Sequence, residues 1–226
     1  MTDTLLAEKP TTSKDSFFSR IRESTFPCVG AKSALANDCI RVIHARDLTS
    51  GWNDLEIHDA LLDWASGDFE VSEFRSLAVI FDGPQGLDEE EFEARMWQRL
   101  QSLADKDAWR GQELDPSVEA DPSKPDFSLS FGGEAFFVVG LHPNASRPAR
   151  RFPRPTLVFN LHNQFEWLRA EGRYERMREA ILERDVKLAG SVNPMLARHG
   201  ESSEARQYSG REVDEDWKCP FKDPRT

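Results

Sequence analysis

Apolar residues fall along this chain in two rhythms, and the switch between them marks out its elements. A continuous apolar run, SLAVIF at 76–81, ends at Asp82-Gly83-Pro84 and predicts a buried central strand. Residues 126–131 (DFSLSF) alternate with period two, Gly132-Gly133 can turn the chain, and AFFVVGL at 135–141 returns, which predicts a hairpin. TLVFN at 156–160, entered through Pro153 and Pro155, is a third strand, and a weaker one ends at His44. The other rhythm is helical. A helix is expected at about 16–23, and FPCVGAKSAL at 26–35 reads as a buried turn leading into another. Asn53 and Glu56 suggest a capped start at 53–65, with Trp52 stapled to Ile57 and an apolar face of Ile57, Ala60, Leu61 and Trp64. Leu87, Asp88, Glu91 and Phe92 repeat the arrangement ahead of Met96, Leu100 and Leu103. Phe165 and Leu168 open a further helix, and Tyr174, Met177, Ile181 and Leu188 line one more.

Between these elements the chain is polar. Residues 1–14 read as a mobile tail, 111–126 as an acidic, proline-rich loop that is either an active-site flap or an insertion, and periodicity fades after 190. Helices and strands mix without regular βαβ alternation. The expected fold is therefore α+β: one domain over 15–226, with a central, mostly antiparallel sheet, flanking helices and long loops.

Composition narrows the function more than the fold. The 226 residues are 38% apolar and 31% charged, with a net charge of −11, which argues against nucleic acid or an anionic membrane as partner. No apolar run approaches the ~20 residues of a membrane span, and the first residues carry no secretory pattern. Cys28, Cys39 and Cys219 form no close pair, so a reducing cytoplasm is the expected setting. Dinucleotide, P-loop, zincin, C-x-x-C and serine-hydrolase motifs are absent.

The candidate chemistry lies in 131–210. His142 and His162 each stand at the end of an apolar strand, and Arg147, Arg150, Arg151 and Arg154 lie between them. An imidazole that can hold a metal, apolar walls and arginine forks that can hold carboxylates describe a heme pocket. The plainer alternatives are a histidine that satisfies backbone and a solvated basic loop. His162, at a strand-to-helix junction, has the stiffest support, with Asn163 and Glu166 placed to cap the next helix. His142 is the alternative ligand or a distal hydrogen-bonding group. Cys28 could supply a thiolate, or simply fill the core. His44 and His199 read as structural or exposed, and His58 as a helix residue without a partner. In SEARQYSGR, Glu204 suits a cationic substrate group and Tyr208 neighbours it, unless the segment is a self-bonded surface loop.

FPCVGAKSAL, FFVVGLHPNASRPARRF, PTLVFNLHNQFEWLR, GRYERMREAILERD, GSVNPML and SEARQYSGREVDEDWKCPF together resemble the YqcI/YcgG family, from about residue 17 to 221. The resemblance implies a heme-dependent monooxygenase that uses dioxygen and an external electron source to N-hydroxylate a guanidino or amino group of an arginine-like molecule. With no C-x-x-C-H motif, the heme is expected to be b-type, ligated by His162 first, His142 second and Cys28 third. In the same reading Arg147, Arg150 and Arg151 are divided between heme propionates and a substrate carboxylate. Glu204, Tyr208 and His142 are the catalytic candidates. Two alternatives stay open: a non-catalytic heme or small-ligand binder acting as sensor or carrier, and a non-heme metal enzyme built from Cys28, Cys219 and a histidine.

Overall fold

A computed structural model describes residues 12–67, 74–196 and 200–226. The tail expected over 1–14, as far as residue 11, and His199 lie outside the described residues. Five strands form one sheet in the order β1-β2-β5-β4-β3: β1 Ile40–Asp47, β2 Ser76–Gly83, β3 Leu129–Phe131, β4 Glu134–Leu141 and β5 Thr156–Leu161. β1 runs parallel to β2, and the other pairings are antiparallel. The class is α+β.

Alternation along the strands sends side chains to two cores. Leu77, Val79 and Phe81 of β2, with Phe136 and Val138 of β4 and Leu157 and Phe159 of β5, meet α3 (Asp54–Ala65) and α4 (Glu89–Trp109) on one face. Ala78 and Ile80 meet α1 (Ser13–Arg22) and α2 (Val29–Ala36) on the other. β2 is buried on both faces, which is why its sequence is an unbroken apolar run. The α1/α2 face also carries α5 (Asn163–Ala170) and α6 (Tyr174–Ala189), while α7 (Ala205–Tyr208) packs on β4.

Local chemistry sets most boundaries. Asp88 and Glu91 form the expected reciprocal cap: Asp88 Oδ1 accepts from the Glu91 amide at 2.8 Å, and Glu91 Oε2 accepts from the Asp88 amide at 3.0 Å. α1 opens at Ser13, earlier than expected, because Thr12 and Asp15 cap it in the same way. The weak strand before His44 is the full-length β1, since pairing with β2 supplies what its own pattern lacks.

Other expectations fail for identifiable reasons. Asn53 makes no side-chain cap; its oxygen accepts from the Arg46 amide at 2.9 Å, and a 3₁₀ turn at Gly51–Asn53 precedes α3. Trp52 is 70% exposed with Arg46 over its ring, so it does not staple Ile57. Asn163 is the first residue of α5, not its cap. His58 is buried and has partners: Nε2 lies 2.7 Å from Asp107 Oδ1 and Nδ1 lies 3.1 Å from Arg110. The 111–126 loop is held to the sheet edge by Asp115, whose carboxylate accepts from the Ala135 amide at 2.8 Å.

Candidate functional site

A cavity of about 290 Å³ lies between the α1/α2 face of the sheet and α6. Its floor includes Phe137, Val139 and Val158, which alternate with the residues buried on the opposite face. α6 supplies a whole wall. Tyr174, Met177, Arg178, Ile181, Leu182 and Asp185 recur at three- and four-residue spacing, which gathers them on one side of a helix. A stripe of this kind ordinarily seals against a core, yet here Met177, Ile181 and Leu182 stay half-buried and face the cavity. The expected alignment of Tyr174, Met177 and Ile181 is therefore present, and what it lines is the cavity.

Cys28 and Arg150 lie in the same wall region. Cys28 caps the N-terminus of α2, and its Sγ accepts from the Ala31 amide at 3.3 Å. Burial pushes the thiol up, while the amides of Ala31 and Gly30 and the charge of Arg150 pull the other way. The Arg150 guanidinium donates to the carbonyls of Gln207 at 2.8 Å and of Gly140 and Tyr208 at 3.1 Å each. Burial lowers it to about 10, against the favourable field of Cys28 and Asp185. Gly210 makes room for it: φ is +85°, and a Cβ there would stand 2.9 Å from Arg150 Cγ.

Glu204 also lines the cavity and is 8% exposed. Its Oε1 is 3.4 Å from His162 Nε2, and its Oε2 accepts from Ser128 Oγ at 3.3 Å. His162 Nδ1 is 3.6 Å from Glu166 Oε1, so the ring stands between two carboxylates. The His162 amide donates to the Ala135 carbonyl at 2.8 Å and fixes the strand-to-helix junction. His162 is therefore next to the site, behind Glu204, and is not among the lining residues.

Several expected participants have other employment. His142 is 1% exposed and stacks on Phe92 with centroids 4.3 Å apart, on the α4 face of the sheet, away from the cavity. Tyr208 is a core residue: its hydroxyl donates to the Phe136 carbonyl at 3.2 Å, its ring packs against Trp97 and Phe137, and burial raises it well above the ordinary tyrosine value. Arg147 pairs with Asp185 and donates to Ser191. Arg151 donates to the carbonyls of Ala145 at 2.7 Å and Ser146 at 2.9 Å, and Arg154 pairs with Asp82 at 2.7 Å. None of Arg147, Arg151 and Arg154 lines the cavity.

Of the three candidate iron ligands Cys28 is in the cavity wall, His162 stands next to it behind Glu204, and His142 is on the other face of the sheet. Cys219 packs against the α3/α4 core, with burial raising its thiol to about 12. It lies on the opposite face from Cys28, so the two cysteines and a histidine do not form a metal site. Among the described residues no group of three or more His, Cys, Asp or Glu could hold a metal ion. None of residues 111–126 lines the cavity. The polar lining residues that sequence patterns left unmarked include Ser76, Asn160, Arg178 and Asp185. The last two sit on the α6 stripe, so extending its periodicity to polar residues would have found them.

Residues 17–222 match the sequence profile of the YqcI/YcgG family. The chain is similar to two curated proteins of Bacillus subtilis (strain 168). It is 26% identical to YcgG over 207 residues, 87% of this chain and 81% of that one. It is 26% identical to YqcI over 210 residues, 88% of this chain and 82% of that one. No solved structure matches. Among the described residues no helix is long and apolar enough to cross a membrane.

Proposed function

The chain belongs to the YqcI/YcgG family, and on that footing we propose that it is a heme-dependent N-oxygenase acting on an amino or guanidino nitrogen of an arginine-like small molecule. The observation that carries the reading is one apolar cavity bearing both a helix-capping thiol, Cys28, and a buried carboxylate, Glu204. At about 290 Å³ it is near the lower end of the range for small-molecule sites, roughly 300–1,000 Å³.

The lining chemistry suits a b-type heme. Cys28 offers a soft sulfur; burial, the largest effect, holds it as the thiol, while the α2 amides and Arg150 offset part of that cost, and iron itself would supply the remaining stabilisation of a thiolate. Arg150, its guanidinium held by three backbone carbonyls, offers a fixed buried positive charge beside that sulfur. The α6 stripe and the sheet supply apolar walls. When bound, heme would supply the activation of dioxygen with external electrons. The overall change consumes dioxygen, two electrons and two protons, leaves one oxygen on nitrogen and releases the other as water.

The chain's share is binding and proton traffic. Glu204 attracts a cationic nitrogen into a low-dielectric space, where an opposite charge counts for more than in water. His162, 3.4 Å behind it, can exchange a proton with that carboxylate. Phe137, Val139 and the α6 residues exclude water.

Purified protein loaded with heme should show a Soret band. With a reducing system and a panel of arginine, related guanidines and lysine, mass spectrometry should find a product one oxygen heavier. A Soret band without turnover across the panel would favour a sensor or carrier, and no heme binding would end the proposal.

A further inference from the structure

We infer that Arg178 anchors a carboxylate and so makes the cavity selective for ligands that carry a carboxylate beside a cationic nitrogen; the inference rests on reading the cavity as a substrate site. The other lining arginines are committed. Arg150 spends its guanidinium on three backbone carbonyls, and Arg169 pairs with Glu166. Arg178 lines the cavity, makes one hydrogen bond, to the Leu196 carbonyl at 3.0 Å, and pairs with no carboxylate among the described residues. A guanidinium has five N–H donors in a planar fork, so one carbonyl leaves donors enough for a bidentate carboxylate.

Its surroundings point to a zwitterion. Tyr174 lies one helical turn before Arg178 on the same stripe and also lines the cavity. Burial raises its phenol, Arg169 and Arg178 pull it down, and Glu204 pushes it up, so cations and an anion converge on one ring. Arg169 lies over that ring, 5.2 Å from its centroid. A carboxylate on Arg178 and an ammonium or guanidinium on Glu204 would each meet opposite charge while the apolar part of the ligand lies along Ile181 and Leu182. Arg147 and Arg151, which sequence reading offered for the carboxylate, are held elsewhere.

Matched ligands that differ by one carboxylate test the role. Calorimetric titration of the full chain, before and after heme loading, would compare L-arginine with agmatine and L-lysine with cadaverine. At least one amino acid should bind about 10-fold or more tightly than its decarboxylated partner. Arg178→Ala should bring the amino acid down to the level of the amine and leave the amine within about 2-fold, while Arg178→Lys, which keeps charge but loses the fork, recovers part of the difference. Equal binding within both pairs, an equal loss for acid and amine in Arg178→Ala, or no binding of any probe to protein with a native circular dichroism spectrum overturns the inference. Carboxylate selectivity without a Soret band would keep Arg178 in its role and remove the heme.

Discussion

Glu204 Oε1 stands 3.4 Å from His162 Nε2, which joins the end of β5 to the start of α7 through an imidazole and a carboxylate that are both nearly buried. The pair puts a carboxylate in the cavity wall and an imidazole directly behind it.

Glu204→Gln keeps the shape and removes the charge. Binding of a cationic ligand should weaken by roughly 100-fold, on the order of 3 kcal/mol for an ion pair in a buried site. Heme content, read from the absorption of the pyridine complex, should not change. Unaltered ligand affinity in the heme-replete variant would remove Glu204 from the site.

Cys28→Ser separates ligation from capping. Serine is a good N-cap, so the α2 start should survive and thermal stability should shift by less than about 1 kcal/mol. The carbon-monoxide spectrum of the reduced holoprotein should lose its thiolate character or the heme should be lost, whereas His142→Ala should leave that spectrum in place. A thiolate-type spectrum that persists without Cys28 sinks the assignment.

His142 makes stability depend on pH. Burial, above all, holds its imidazole below the ordinary 6.5, against the pull of Glu89 and with the help of Arg150. The unfolded chain therefore takes up a proton that the native protein refuses. The stabilisation is complete above pH 6.5 and falls as pH drops from there towards the lowered native value. Thermal melts between about pH 5 and 8 should show a shallower decline for His142→Phe, which keeps a ring against Phe92. Identical slopes would mean the group is not held neutral.

Asp185 ties the C-terminal end of α6 to Arg147. Asp185→Ala leaves a largely buried guanidinium without its anion, at a cost of about 3–5 kcal/mol in the worst case. Hydrogen exchange should accelerate across α6 while amides of β2 and β5 keep their protection. Uniform acceleration would show that α6 has no independent opening.

The sheet was legible where one strand carries its own signal. SLAVIF announces β2 because both its faces are covered, and the Gly132-Gly133 turn announces β3 and β4. β1 was faint because its stability comes from lying parallel to β2, which local pattern does not encode. The site was legible by element and less by orientation. His142 and His162 were both found at strand ends, but alternation sends one to Phe92 and the other to Glu204. Glu204 was recognisable as a lone acid among polar neighbours, whereas Tyr208, four residues on, turns into the core. Arginine-rich loops carried the least information, since Arg147 and Arg150 found acceptors far along the chain and Arg151 found a nearby carbonyl, none of which a spacing rule anticipates.

The half-buried stripe of α6 has a thermodynamic corollary. Met177, Ile181 and Leu182 are only half-covered by the folded chain, so a molecule that entered the cavity would bury more of them. An occupant that binds the native state alone, at about 100 times its dissociation constant, adds ~2.7 kcal/mol to stability. The melting temperature of this protein should then rise with the concentration of any small molecule that docks under α6.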